Sequence, residues 1–140
     1  MEVRIKSNAK AVAKRVGKKG KELSDSIKLA LLKTGLVGAN IIEERTSKGK
    51  GFKGGAFKKY NSVYAAFRAS KGRSTKPDLR FTGQMMSAMT VKSNSREAEI
   101  YFTRAEESKK AAMNNKKRPF FGFSRSEERK LGKVFFRALK

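Results

Sequence analysis

Between Asp25 and Thr46 the chain carries two apolar stripes at helical spacing. No other stretch constrains the fold as much. Ile27, Leu31, Thr34, Gly38 and Ile41 follow one stripe, and Leu29, Leu32 and Leu36 form the second. The spacing predicts a helix over about 25–46, capped by Ser24 or Asp25. A helix apolar on two sides is usually buried on two sides. One face would pack on the sheet of its own subunit. The other either meets a second subunit or makes this simply the central core helix. Gly35 and Gly38 each cost about 1 kcal/mol of helix propensity, and close packing is what they permit in return.

Around this helix the pattern predicts a small sheet and further helices. Glu2-Val3-Arg4-Ile5-Lys6 alternates and suits a short strand. Ser7 or Asn8 then caps a basic helix to about Val16, ended by Gly17 and Gly20. The clearest β signal is Thr90–Ser93, a turn at Asn94-Ser95, and Ala98–Thr103, read as an antiparallel hairpin. Gln84–Met89 reads as a short helix with Met85, Met86 and Met89 suited to a core or an adaptable interface. Residues 104–114 read as helix, and Asn114–Pro119 as a basic turn. Ser124 or Ser126 caps a last helix with Glu127 and Glu128 in its first turn, an order that suits the helix dipole. Leu131, Val134, Phe135 and Leu139 make its apolar stripe. Tyr60, Tyr64 and Phe67 also fall at helical spacing, most often the mark of a core contact. The fold class is α+β, one domain over 1–140: long helices packed on a small antiparallel sheet.

Two segments stand apart. Residues 1–21 form a basic N-terminal segment. From 47 to 59 the chain reads as a long flexible Gly/Lys loop; the stretch 46–59 holds four Gly and five Lys in fourteen positions. The loop lacks the spacing of a phosphate-binding P-loop and follows a helix where a strand should stand. It is read as a basic arm or clamp that orders on a neighbour.

Composition limits the chemistry. The chain has no His and no Cys, so imidazole and thiolate metal sites, a Cys nucleophile and a His base are all excluded. Ten Phe and a 38% hydrophobic fraction are too many for a solvating polycation. Against 35 Lys and Arg stand 12 Asp and Glu, a net charge of +23. The excess is spread along the chain and is densest over 4–21, where eight basic residues occur with no acid. Such a surface attracts polyanions. No motif for reading bases accompanies it. No apolar run is long enough to span a membrane, and the N-terminus lacks the apolar centre of a secretory signal, although its basic start leaves a transit peptide open. Neighbouring carboxylates occur at Glu43 with Glu44, Glu97 with Glu99, and Glu127 with Glu128. Only Glu97 and Glu99 would share a strand face, where a Mg²⁺-dependent nuclease could use them. No nuclease spacing is visible, and the reading is of a protein that is not an enzyme, with no cofactor and no metal.

Four stretches, in order, resemble the tail-completion and virion-morphogenesis proteins of tailed bacteriophages. They are Ile41-Ile42-Glu43-Glu44-Arg45-Thr46 with the Gly-rich loop after it, and Phe57-Lys58-Lys59-Tyr60-Asn61-Ser62-Val63-Tyr64. Asp78-Leu79-Arg80-Phe81-Thr82-Gly83-Gln84-Met85-Met86-Ser87 and Arg118-Pro119-Phe120-Phe121-Gly122-Phe123-Ser124 complete the set. The resemblance covers roughly 27–138; family patterns carry fewer Lys before the first long helix, so 4–21 departs from them. It implies a virion structural protein of the neck or head-proximal tail end. Copies would form a ring, with sixfold-type symmetry expected, that joins head to tail. Partners would be further copies, other neck, portal or tail proteins, and packaged DNA by proximity, with no membrane. The place would be the virion, and the host cytoplasm during assembly. On this reading Leu29, Leu32, Leu36, Phe52, Phe57, Tyr60, Met85, Met86, Phe120, Phe121 and Phe123 are interface candidates. For 120–123 the other reading is a core strand. Lys10, Lys14, Arg15, Lys18, Lys19, Lys48, Lys50 and Lys53 are DNA-proximal candidates, holding phosphates without reading sequence. The alternative is a non-specific nucleic-acid-binding basic protein.

Overall fold

The structure is a computed structural model that describes residues 1–7, 20–80 and 82–139. Its strands are β1 (Glu2–Lys6), β2 (Met89–Ser93) and β3 (Glu97–Phe102). Its helices are α1 (Gly20–Ser47), α2 (Ser62–Ser70), α3 (Gln84–Ser87), α4 (Ala105–Lys117) and α5 (Arg125–Leu139). The sheet is antiparallel in the order β1-β3-β2. This is an α+β fold, with helices packed against a small three-stranded sheet.

The period-two alternation decides which side of the sheet is covered. Val3, Ile5, Val91, Ala98, Ile100 and Phe102 contribute to the core, and Ala98, Ile100 and Phe102 are buried. Glu2, Arg4, Lys92, Glu97 and Glu99 stand on the other face. Ion pairs lace that outer face: Arg4 reaches Glu2 at 2.9 Å and Glu97 at 3.4 Å, and Lys92 reaches Glu99 at 3.6 Å. The Glu2 carboxyl is held below the usual carboxylate range by its hydrogen bond with Glu99, and also by Arg4.

α1 crosses the covered face. Gly35 is the point of closest approach, because a Cβ there would lie 2.5 Å from Val91 Cγ1. At Gly38 a Cβ would lie 2.9 Å from Phe123 Cζ. α5 packs beside α1 through Ile27, Ala30, Leu31, Phe135 and Leu139. A second cluster gathers Ile42, Phe57, Met86, Ile100, Phe102, Phe120 and Phe121. Each large side chain buried this way contributes about 1.5–3 kcal/mol. Ser124 is the cap of α5: its Oγ accepts from Glu127 N at 3.2 Å, and Glu127 Oε1 accepts from Ser124 N at 2.9 Å.

Several sequence expectations need correction. α1 starts at Gly20, five residues before the expected boundary. It is buried on one side only: Leu29 and Leu36 are each 54% exposed, so it is not a central core helix. α3 ends at Ser87, because Met89 joins the β ladder opposite Phe102. α4 runs through Lys117, so Asn114–Lys117 is helix where a turn was expected. The 47–59 segment is tied back on the body. Lys50 pairs with Ala56, Phe57 N donates to Gly49 O at 2.8 Å, and Phe52 N donates to Pro119 O at 3.3 Å. The basic helix expected from Ser7 or Asn8 to Val16 lies outside the described residues, as does Phe81.

Candidate functional site

Three arginines hold together the chain segments that leave the helices. Arg45, in the last turn of α1, places Nη1 2.7 Å from both Glu127 oxygens. Its Nη2 donates to Phe120 O at 2.7 Å and Gly122 O at 2.9 Å. One guanidinium thus ties α1, the 120–122 segment and the first turn of α5. The Phe52 ring lies directly against Gly122, where a Cβ would meet it at 2.7 Å.

Arg68 and Arg118 build a second node around Tyr60. Tyr64 and Arg68, four residues apart, share one face of α2, and Tyr60, just before the helix, meets Tyr64 edge-on at 5.0 Å. Arg68 is 1% exposed, and its Nε donates to Ser74 O at 2.7 Å. Its Nη2 donates to Asp78 Oδ1 at 3.0 Å and to Arg80 O at 2.9 Å. Arg118 donates from Nε to Lys58 O at 2.7 Å and from Nη2 to Lys59 O at 3.1 Å. Both guanidiniums lie over the Tyr60 ring, 4.8 Å and 4.6 Å from its centroid. The Tyr60 hydroxyl accepts from Leu79 N at 3.2 Å. Burial pushes the Tyr60 phenol above its ordinary pKa.

This node holds a groove open between α2 and α4, with a volume of about 1020 Å³. Leu79 and Met85 are its buried apolar residues, and Arg68, Glu107 and Arg118 are buried on its lining as well. Tyr64, Phe67 and Met113 line its sides, Phe67 at 46% and Met113 at 69% exposed. Lys58, Lys59, Lys110, Lys116 and Lys117 surround it. Among the described residues the one acid on its lining is Glu107, a buried side chain. Glu107 Oε1 accepts from Lys110 at 3.1 Å, and its buried Oε2 has no hydrogen-bond partner among the described residues.

The expected site residues therefore divide. Phe57, Met86, Phe120 and Phe121 are core side chains within the subunit, so as surface contacts these interface candidates are corrected. For 120–123 the core half of the core-strand reading fits Phe120 and Phe121, but the segment is irregular and not a strand. Met85 and Tyr60 belong to the groove. Leu32, Phe52 and Phe123 are half-buried, and Leu29 and Leu36 face outward. Lys48, Lys50 and Lys53 are exposed on the loop, while Lys10, Lys14, Arg15, Lys18 and Lys19 lie outside the described residues. Tyr64 and Phe67, expected as core contacts, line the groove instead, because α2 buries only Arg68. Sequence reasoning missed Arg68 and Met113; the four-residue repeat Tyr60-Tyr64-Arg68 was the available signal for Arg68. Glu97 and Glu99 share a face but are paired with Arg4 and Lys92. Among the described residues no group of three or more acids could hold a metal ion, and no helix is long and apolar enough to cross a membrane. No protein-family model, curated protein or solved structure matches the chain.

Proposed function

We propose that the chain is a structural subunit of a tailed-phage neck or head-proximal tail end, working as one copy in a ring that joins head to tail. One observation carries this reading. The four stretches that resemble the tail-completion proteins span residues 41 to 124, and they are neighbours bonded to one another. Arg45 of the first bonds Phe120 and Gly122 of the fourth. Arg118 of the fourth bonds Lys58 and Lys59 of the second, and Tyr60 of the second bonds Leu79 of the third. The four stretches thus form one connected region of the fold, which is the ground for reading them together.

The outward leucines of α1 suit the ring. Leu29 and Leu36 are seven residues apart, two turns along one side of the helix. Burying them against a neighbouring copy would remove apolar surface from water. The second reading, a basic protein coating nucleic acid, is favoured by the exposed Lys48, Lys50 and Lys53 on one loop. The two differ in assembly. Virions made without the protein, imaged by negative stain, should show heads and tails that fail to stay joined. Normal heads stably joined to normal tails would sink the joining role.

A further inference from the structure

We infer that the groove between α2 and α4 is a docking site for an acidic segment of a partner protein that carries an apolar anchor. The inference deepens the assembly reading, and rests on it for a protein occupant. Charge complementarity selects the occupant. Five lysines surround the groove, and the acid on its lining is already bonded to one of them, Glu107 to Lys110. Lys58, Lys59, Lys116 and Lys117 are exposed. An acidic segment would neutralise them, whereas a basic segment of a second copy would be repelled. The apolar lining selects the anchor. Phe67 and Met113 leave much of their surface in water beside the buried Leu79 and Met85. A large apolar side chain entering here would cover all four, and the flexible thioethers of Met85 and Met113 adapt to its shape.

A nucleic-acid strand fits the same charges less well. Strands of that kind gain much of their affinity by stacking bases on open aromatic faces. The Tyr60 ring already carries two guanidiniums. The Tyr64 ring is stacked on Phe67 with centroids 6.3 Å apart, and meets Tyr60 edge-on at 5.0 Å.

The test uses the full chain and two synthetic peptides of equal charge. Both are rich in Asp and Glu; one carries a Trp and a Leu, and the other carries Ser in their places. Fluorescence anisotropy should show the Trp/Leu peptide binding about tenfold more tightly, the ratio that about 1.4 kcal/mol gives. That ratio should collapse in Phe67→Ser and Met113→Ser variants whose thermal unfolding is unchanged. The charge-reversing Lys116→Glu/Lys117→Glu variant should weaken both peptides. Equal affinity of the two peptides, or a ratio indifferent to Phe67 and Met113, overturns the inference. So does a thymidine oligonucleotide that binds more tightly than the Trp/Leu peptide and loses that affinity in the Phe67→Ser and Met113→Ser variants. A ring that forms normally while the peptide ratio is absent overturns the docking site and leaves the assembly reading standing.

Discussion

The two sides of this molecule use the same chemistry to opposite ends. On one side α1 and α5 cover the sheet, and Arg45 closes the packing by joining α1 to Glu127 and to the carbonyls of Phe120 and Gly122. On the other side Arg68 and Arg118 grip Tyr60 and loop carbonyls, and what they hold is an open groove. A buried guanidinium offers five donors in a fixed plane, so it can pin several carbonyls at once. Whether the result is core or cleft depends on what the neighbouring helix does. α1 lays a full apolar stripe on the sheet, whereas α2 buries only Arg68 and stands beside α4 at a distance.

The comparison can be broken in graded steps. The largest effect should come from Arg45→Ala, which strands Glu127 in a partly buried site. It should cost about 3 kcal/mol, read as a fall in Tm of roughly 10 °C. A loss within experimental error would mean that Arg45 does not close the core. Hydrogen exchange should show the next difference. Amides in the middle of α1 should open only with global unfolding, and those of α2 through a much cheaper local opening. Equal protection of α1 and α2 would remove the contrast between the two sides. Gly35→Ala comes next. Its Cβ would press on Val91, an overpacking cost of about 1–3 kcal/mol set against about 1 kcal/mol gained in helix propensity. Net destabilisation of about 1 kcal/mol is expected in denaturant unfolding. A stabilised variant would show that α1 and β2 are not in close contact.

The smallest effect is a titration. Burial keeps the Tyr60 phenol protonated beyond its ordinary pKa. Above that ordinary value the unfolded chain releases its proton first, so the contribution of Tyr60 to stability is lost as pH rises through the folded value. Tyrosinate absorbance should show a late step that Tyr60→Phe abolishes. Its absence would say that the ring is wet in solution.

How much was legible in the sequence follows the same division. Periodicity exposed the strands and α1, because Ile5, Leu31 and Ile100 face a core that rewards regular spacing. It left open where the second α1 stripe ends, since Leu29 and Leu36 repeat as regularly as the buried set. The groove was hardest to see. Tyr64 and Phe67 have core spacing, and it is a tertiary fact, that among the described residues α2 buries only Arg68, that puts them on the groove. Loop 47–59 concealed its contacts for a related reason. Gly and Lys are turn and surface residues, but Phe52 and Phe57 within the segment anchor it through Gly122 and the core.

Assembly is the central claim, and mass in solution tests it most directly. Native mass spectrometry of the purified chain at low and high salt should find a closed oligomer of fixed copy number. Leu29→Glu/Leu36→Glu should reduce that oligomer to folded monomer. A monomer at every salt concentration, unchanged by those substitutions and never associating with portal or tail components, would contradict the account.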